Sequence, residues 1–173
     1  MKMLLAVGQP GSGKSHFVKT QILNKVQNLY IFDVYNYEYP QLEAVEPDKY
    51  KKGLAKYTGT DTDLLFKSIE KYRNTCFVCE DATIFLDNHK KTEEFKKVVY
   101  GRRHSNIFIV LLFHSLNRIP VWLMEQTNIL VLLKTQDEFK RIEKKFSNPK
   151  IIKAFKFLQA SKNKHEKVIL EFF

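Results

Sequence analysis

The sequence GQPGSGKS, at Gly8 to Ser15, sets the expected architecture of this chain. It fits the G-x-x-x-x-G-K-[ST] phosphate-loop pattern, in which glycines let the backbone turn tightly so that its N–H groups cradle phosphate oxygens. Lys14 is expected to reach the β- and γ-phosphates of a nucleoside triphosphate, and the Ser15 hydroxyl to coordinate Mg²⁺. The expected nucleotide-binding residues are Gly8, Gln9, Pro10, Gly11, Ser12, Gly13, Lys14, Ser15 and His16.

The residues on either side of the loop predict a strand before it and a helix after it. MKMLLAV, at 1–7, is apolar enough for a buried strand, and SHFVKTQILNKV, at 15–26, has apolar residues at helical spacing. Strand, glycine loop and helix in this order aim a helix N-terminus at bound phosphate. The sequence therefore predicts a site for a nucleoside triphosphate.

Length, charge and cysteine placement narrow the class of protein. The chain has 173 residues, 44% of them hydrophobic, and a net charge of +10, which favours one globular domain and a polyanionic partner. Cys76 and Cys79 lie three apart in a strand-like run, so their side chains should point to opposite faces and form neither a metal site nor a disulfide. The longest apolar run, Ile107 to Phe113, is too short to span a membrane. Because the chain enters the nucleotide site at once, we expect no signal peptide and a cytoplasmic location.

Strand and helix candidates alternate along the chain. Short apolar strands between helices predict an α/β fold with a mostly parallel central sheet flanked by helices, while residues 35–61 are expected to be irregular. The strand candidates are Met3–Val7, Leu29–Asp33, Cys76–Cys79, Ile107–Phe113, Ile129–Leu133 and Val168–Phe172. The helix candidates are Lys14–Val26, Thr62–Tyr72, Glu93–Gly101, Glu138–Phe146 and Lys150–Ala160.

A second motif, TCFVCED, occupies Thr75 to Asp81. Its apolar strand would deliver Glu80 and Asp81 at its C-terminal end, where active sites of open α/β sheets lie. Hydrolysis of a γ-phosphate needs one carboxylate to hold Mg²⁺ through water and another to orient the attacking water. By position, Glu80 takes the metal role beside Ser15 and Asp81 takes the base role, although the reverse assignment is open.

A third candidate side chain follows the strand predicted at Ile107–Phe113. His114 would come to the same edge of the sheet as the phosphate loop. There it could contact the γ-phosphate or the attacking water and report hydrolysis, and the alternative is a purely structural histidine.

A resemblance to a known family rests on four segments: GQPGSGKS, YIFDVYNYEYP at 30–40, CEDAT at 79–83 and GRRHSNIFIVLLFHSLNRIP at 101–120. In this order they resemble the FtsK–HerA superfamily of DNA-pumping ATPases, most closely the small genome-packaging ATPases of viruses and more distantly Zot-like proteins. Asp33 and Glu38–Tyr39 match the family's second strand, with one more residue between them than the commoner spacing. The family usually has Gln where this chain has His114.

The resemblance implies a RecA-like (ASCE) P-loop fold in which the strand before His114 lies between the phosphate-loop strand and the strand before Glu80. It also implies ATP as the nucleotide and a ring, usually of five or six subunits. Counting back from His114, Arg103 falls where the family carries an arginine finger that reaches the neighbour's nucleotide, with the adjacent Arg102 as the alternative. Contact with a phosphate backbone, or plain surface charge, is the other explanation for these two arginines.

We therefore expect a single P-loop ATPase domain over 1–173, with a motor core over about 1–135 and basic helices and a final strand over about 136–173. The expected function is ATP hydrolysis coupled to DNA translocation, as in packaging of a viral genome into a preformed capsid. Expected partners are DNA bound without sequence preference, further copies of the chain and capsid or portal vertex proteins, in the host cytoplasm or docked on the capsid, and no membrane. The alternatives are a small-molecule P-loop kinase and a nucleotide-gated assembly protein without enzymatic activity.

Overall fold

A computed structural model describes residues 2–172, so Met1 and Phe173, the two ends of the expected domain, lie outside the described residues. The strands are β1 (Met3–Val7), β2 (Leu29–Phe32), β3 (Glu43–Ala44), β4 (Leu54–Tyr57), β5 (Cys76–Cys79), β6 (Phe108–Phe113), β7 (Ile129–Leu133) and β8 (Lys167–Glu171). They form one sheet in the order β3-β4-β2-β5-β6-β1-β7-β8. Each pairing is parallel except the one between β7 and β8.

Six α-helices cover the described part of the sheet. They are α1 (Lys14–Gln21), α2 (Thr62–Ile69), α3 (His89–Gly101), α4 (Val121–Glu125), α5 (Phe139–Lys145) and α6 (Pro149–Ala160). Three of them begin at a polar residue whose side chain accepts from a backbone N–H of the first turn: Asp61 before α2, Asn88 before α3 and Asn148 before α6. Such caps fix where each helix starts.

The sheet separates two apolar layers. On one face, Phe17 and Val18 of α1 pack against alternate residues of the central strands. On the other face, α2, α3, α5 and α6 contribute Phe66, Phe95, Ile142 and Phe155, respectively, to a larger cluster. Cys76 belongs to the first layer and Cys79 to the second, so the two thiols point to opposite faces as predicted.

The predicted α/β class and the mostly parallel sheet are confirmed. The strand order also confirms that β6, which precedes His114, lies between β1 and β5. Among the described residues 2–172, no helix is both long enough and apolar enough to cross a membrane.

Several sequence-based boundaries were wrong, including the end of the helix predicted over Thr62–Tyr72, which stops at Ile69, and the start of the one predicted over Glu93–Gly101, which begins at His89. The helix expected over Lys14–Val26 ends at Gln21 and is followed by a separate 3-10 turn at Leu23–Lys25. The second strand stops at Phe32 rather than at Asp33. Residues 35–61 are not wholly irregular, because β3 and β4 lie there and extend the sheet beyond β2.

Candidate functional site

The phosphate loop leaves β1 between the ends of its two neighbouring strands. The backbone N–H of Gly8 donates to the carbonyl of Phe113 (3.0 Å), and that of Gln9 donates to the carbonyl of Lys134 (2.8 Å). A Cβ added at Gly8 would lie 2.4 Å from the Ser12 hydroxyl oxygen and 2.8 Å from Cβ of Leu133, so a larger residue there would force its neighbours to shift. Gly13 has φ +106°, a conformation that L side chains rarely adopt, directly before α1 begins at Lys14. The loop is therefore fixed by the sheet at one end and by a glycine at the other.

Lys14 is buried and its amine lies inside the loop. The Nζ atom donates to the carbonyl of Gly8 (2.7 Å) and to that of Gln9 (3.2 Å), and lies 3.2 Å from Nδ1 of His114. Burial lowers the pKa of Lys14, and the nearby carboxylates, Glu80 foremost, oppose that shift. The amine is thus held at the end of the loop where a terminal phosphate would need a cation.

Glu80 follows β5, and its carboxylate accepts hydrogen bonds from two hydroxyl groups. The Ser15 hydroxyl donates to Oε2 of Glu80 at 2.9 Å, and the hydroxyl of the buried Tyr39 donates to Oε1. Burial raises the pKa of the Glu80 carboxyl, and both hydrogen bonds work in the opposite direction. A hydroxyl and a carboxylate in direct contact are ligands of the type that Mg²⁺ takes in nucleotide sites, so Ser15 and Glu80 fit the metal role expected of them.

Asp81 points a carboxylate into the same region but has different partners. Its Oδ1 atom accepts from the backbone N–H of Thr83 (3.1 Å) and from the Thr83 hydroxyl (2.5 Å), which starts the 3-10 turn at Ala82–Phe85. Asp81 and Glu80 are therefore held separately, one by Thr83 and the other by Ser15 and Tyr39. The distinct environments fit different roles for the two carboxylates.

His114 follows β6 and faces the phosphate loop. Burial is the main cause that lowers the pKa of the His114 imidazole, and the positive charges of Lys14 and Arg118 lower it further. The negative charge of Asp81 opposes this shift. An unprotonated Nδ1 can accept from the Lys14 amine, which agrees with the direction of the shift. The structure thus brings His114, Lys14, Glu80 and Asp81 to one cleft.

This nucleotide-sized cleft has a volume of about 660 Å³ and opens at the C-terminal edge of the parallel strands. Its second wall comes from the segment after β2, which the sequence had not assigned to the site. There Lys19 forms an ion pair with Glu38 (3.0 Å), and the carboxylate of Asp33 accepts from the Glu38 backbone N–H (3.2 Å). The position of Asp33 at the carboxyl end of a buried strand was the signal that could have assigned it.

The two adjacent arginines have opposite environments. Arg102 is 1% exposed, and its guanidinium donates to the backbone carbonyls of Val99 (2.5 Å) and Gln126 (3.1 Å). Arg103 is exposed. The suggestion that Arg102 is an arginine finger is corrected here, because its guanidinium is committed to carbonyls of its own subunit. Arg103 stays a candidate.

Arg103 does not lie in its own nucleotide cleft. It precedes β6, whereas His114 follows β6, and the six residues of that strand span about 20 Å. Since β1 runs parallel to β6, the phosphate loop lies at the C-terminal ends of these strands, whereas Arg103 lies near their N-terminal ends. Any contact of Arg103 with a nucleotide therefore needs a second subunit.

Three comparisons with known proteins bear on this geometry. No family model matches the chain. No curated protein matches it. Similar solved structures include the genome packaging NTPase B204 of Sulfolobus turreted icosahedral virus 2 in complex with sulfate, with TM-score 0.80, 18% identity and coverage of 98% of this chain and 90% of that one.

The same NTPase in complex with AMPPCP gives TM-score 0.78 at 18% identity, over 98% of this chain and 92% of that one. The pCW3 conjugation coupling protein TcpA with ATPγS gives TM-score 0.67 at 16% identity, over 98% of this chain and 57% of that one. The resemblance drawn from the sequence motifs is thus confirmed at the level of the fold, which this chain shares with these nucleotide-binding proteins.

Proposed function

We propose that this chain is an ATP-hydrolysing DNA translocase, and specifically a motor that packages a viral genome into a preformed capsid. The observation that carries the proposal is the convergence of Lys14, the Ser15–Glu80 pair, Asp81 and His114 on one cleft behind a phosphate loop. The fold likeness to B204, whose structures contain AMPPCP and ATPγS, supports the same conclusion.

The residues of the cleft have different roles in hydrolysis of the γ-phosphate. The loop N–H groups and the N-terminus of α1 bind the phosphates, and Lys14 stabilises negative charge that develops on the γ-phosphate. Ser15 and Glu80 would hold Mg²⁺, which when bound neutralises charge on the phosphate oxygens. Asp81 orients the attacking water and accepts its proton, and an exchange of roles between Asp81 and Glu80 is the alternative.

A ring of five or six subunits completes the site. Because Arg103 lies at the opposite edge of the sheet from its own phosphate loop, it can serve only a neighbour in a head-to-tail arrangement. Head-to-tail contacts close into rings when the rotation between subunits permits. In such a ring, Arg103 supplies the positive charge that the transition state requires, a contribution of about 10³–10⁵ in rate.

DNA is the partner that the charge distribution favours. Residues 134–167 contain eleven Lys and Arg against four Asp and Glu. Within residues 2–172, Arg141 is the only one of these eleven side chains that forms an ion pair. By contrast, Lys90, Lys96 and Lys97 of α3 are each paired with a carboxylate. Unpaired surface cations are available for phosphates, so binding should be independent of base sequence. Capsid or portal proteins are the further partners, with action in the host cytoplasm or at the capsid vertex.

ATP turnover measured with and without double- or single-stranded DNA tests the proposal. Stimulation by either DNA supports a translocase, and a titration should show affinity that falls steeply with salt. Phosphoryl transfer to a small molecule, with no response to DNA, would instead indicate a kinase. Binding of ATP without turnover under any condition would indicate an assembly protein.

A further inference from the structure

A second cleft, of about 650 Å³, lies beside the phosphate loop. Gly13 and His16 line both this cleft and the one that contains Lys14 and Glu80. The two clefts therefore meet at the N-terminus of α1. A ligand whose phosphates bind the loop would reach the second cleft by passing Gly13 and His16, the two residues that line both.

The walls of the second cleft have the mixed character of a small-molecule site. Phe17 of α1 and Leu133 of β7 supply apolar surface. Thr20, Gln21 and His165 bring polar groups to its rim. The lining of the first cleft is different, because it includes the carboxylates of Asp33, Glu38 and Asp87.

His165 reaches this cleft from a distant part of the sequence. It lies in the loop between α6 and β8, where the Asn163 side chain accepts from its backbone N–H at 3.0 Å. Its Nδ1 lies 3.3 Å from the carbonyl oxygen of Ser12, so a protonated Nδ1 donates to the phosphate loop. A Cβ placed on Gly13 would be 3.7 Å from the same nitrogen. The imidazole is thus held against the loop, within reach of a ligand bound there.

We propose that the second cleft holds the ribose and base of the nucleotide, with the base packed against the imidazole of His165. This inference rests on the proposed binding of a nucleoside triphosphate at the phosphate loop. Glu80, Asp81 and His114 lie in the first cleft, so the γ-phosphate end of the ligand points there. The nucleoside is at the other end of the phosphate chain, and the second cleft opens where that end emerges past Gly13 and His16.

A consequence is that the basic C-terminal segment becomes part of the nucleotide site. Lys164 precedes His165, and Lys167 itself lines the second cleft; both belong to the cations assigned to DNA. Occupation of the second cleft would fix the loop between α6 and β8 and hence the positions of these two lysines. The assignment therefore connects nucleotide binding to the proposed DNA-contacting surface through the segment that carries His165 and Lys167.

The test compares ADP with inorganic pyrophosphate, which has the same two phosphates but no nucleoside. Calorimetric titrations in Mg²⁺ buffer are made on the wild type, on His165→Ala and on His104→Ala, an exposed histidine outside both clefts. We expect His165→Ala to weaken ADP by about tenfold, the size of a lost base-stacking contact, and to leave pyrophosphate unchanged. His104→Ala should bind both ligands like the wild type.

Several results would overturn the inference. Equal weakening of ADP and pyrophosphate by His165→Ala would mean that His165 acts only through the phosphate loop. Unchanged ADP binding in His165→Ala would remove the base from His165, and weakened binding in Tyr35→Ala or Tyr37→Ala would move it to one of the two exposed tyrosines of the first cleft. A wild type that binds neither ligand would instead refute the phosphate site itself. NMR adds a measurement without substitution: the His165 ring signals should shift with ADP and not with pyrophosphate, and no difference between the two would contradict base packing.

Discussion

The Nζ atom of Lys14 lies 3.2 Å from Nδ1 of His114, although the two residues are 100 positions apart in the chain. The contact joins the phosphate loop after β1 to the end of β6. Since an ammonium can only donate, Nδ1 must be unprotonated for this hydrogen bond to exist. The protonation state of His114 is therefore coupled to the position of the amine that would bind the γ-phosphate.

His114→Gln should make stability less sensitive to acid. The pKa of His114 is lowered in the folded protein, so at mildly acidic pH the unfolded state binds more protons than the folded state. Wild-type stability should accordingly lose a contribution as pH falls from about 6.5 through the folded pKa. Glutamine does not titrate, yet it keeps a hydrogen-bond acceptor for Lys14.

Urea unfolding of both proteins at a series of pH values measures this difference. Other groups, including Glu80 with its raised pKa, titrate in both proteins and largely cancel in the comparison. The free energy of unfolding should decline less steeply toward low pH in His114→Gln. Parallel curves would show that the imidazole is not perturbed by burial and by Lys14.

Lys14→Ala should reduce ATP turnover by at least about 100-fold, because the variant loses the cation aimed at the γ-phosphate. Lys25→Ala is the matched control, since Lys25 is exposed and, within residues 2–172, its amine donates to the Gln21 side chain alone. Steady-state phosphate release gives the rates, and circular dichroism checks that removal of the buried amine leaves the fold intact. Turnover within about threefold of the wild type would refute the assignment of the phosphate loop.

Asp81→Asn should lower turnover by about two orders of magnitude while ATP still binds, because an amide cannot accept the proton of the attacking water. Glu80→Gln should instead raise the Mg²⁺ concentration needed for activity, since Glu80 contacts Ser15. Asp87→Asn, a change at an exposed carboxylate of the same cleft, is the control. Exchanged phenotypes would exchange the two roles, and wild-type behaviour of both variants would remove this motif from the site.

Local patterns made the phosphate loop and the strands beside it predictable. GQPGSGKS contains its own glycines, lysine and serine, and the strands before Glu80 and His114 are continuous apolar runs. The strand β4 was missed because Lys56 interrupts its apolar pattern. In the fold, the Lys56 amine is buried and donates to the Tyr39 carbonyl at 2.8 Å, a partner that lies 17 residues away.

Nonlocal packing also distinguishes Arg102 from Arg103 as candidates for the arginine finger, which the sequence could not do. Arg102 and Arg103 are neighbours at the end of α3, and no local pattern distinguishes them. Their environments differ because Gln126, 24 residues further along, receives the Arg102 guanidinium. The sequence did not predict a role for His165 for the same reason, because its contact with Ser12 joins residues 153 positions apart.

Arg102→Ala should destabilise the protein by about 2–4 kcal/mol, because it leaves the buried carbonyl of Val99 and the partly buried carbonyl of Gln126 without this donor and opens a cavity. Arg103→Ala, at an exposed position, should change the free energy of unfolding by less than about 0.5 kcal/mol. Thermal unfolding of the two variants and the wild type makes the comparison. Equal stability of the two variants would contradict the structural role assigned to Arg102.

Arg103 should act on the nucleotide of a neighbouring subunit. Arg103→Ala should bind ATP normally and turn over poorly, and Lys14→Ala should be nearly inactive for a different reason. When the two variants are mixed, some interfaces combine an intact Lys14 site with an intact Arg103 from the adjacent subunit. Those interfaces can hydrolyse ATP, so activity should partly return even though each variant alone is defective.

The mixing experiment needs conditions in which oligomers form and exchange subunits. ATP turnover is measured across mixing ratios, and co-assembly is verified independently with differently tagged variants. The recovered ATP turnover is limited by the fraction of mixed interfaces and by any requirement that subunits hydrolyse ATP in order around the ring. A mixture of Lys14→Ala with Lys14→Ala,Arg103→Ala is the matched control, because it contains no intact Lys14 site and should stay inactive. Proven co-assembly without recovery at any ratio would remove Arg103 from the neighbour's site, since every other component of that site would then be present.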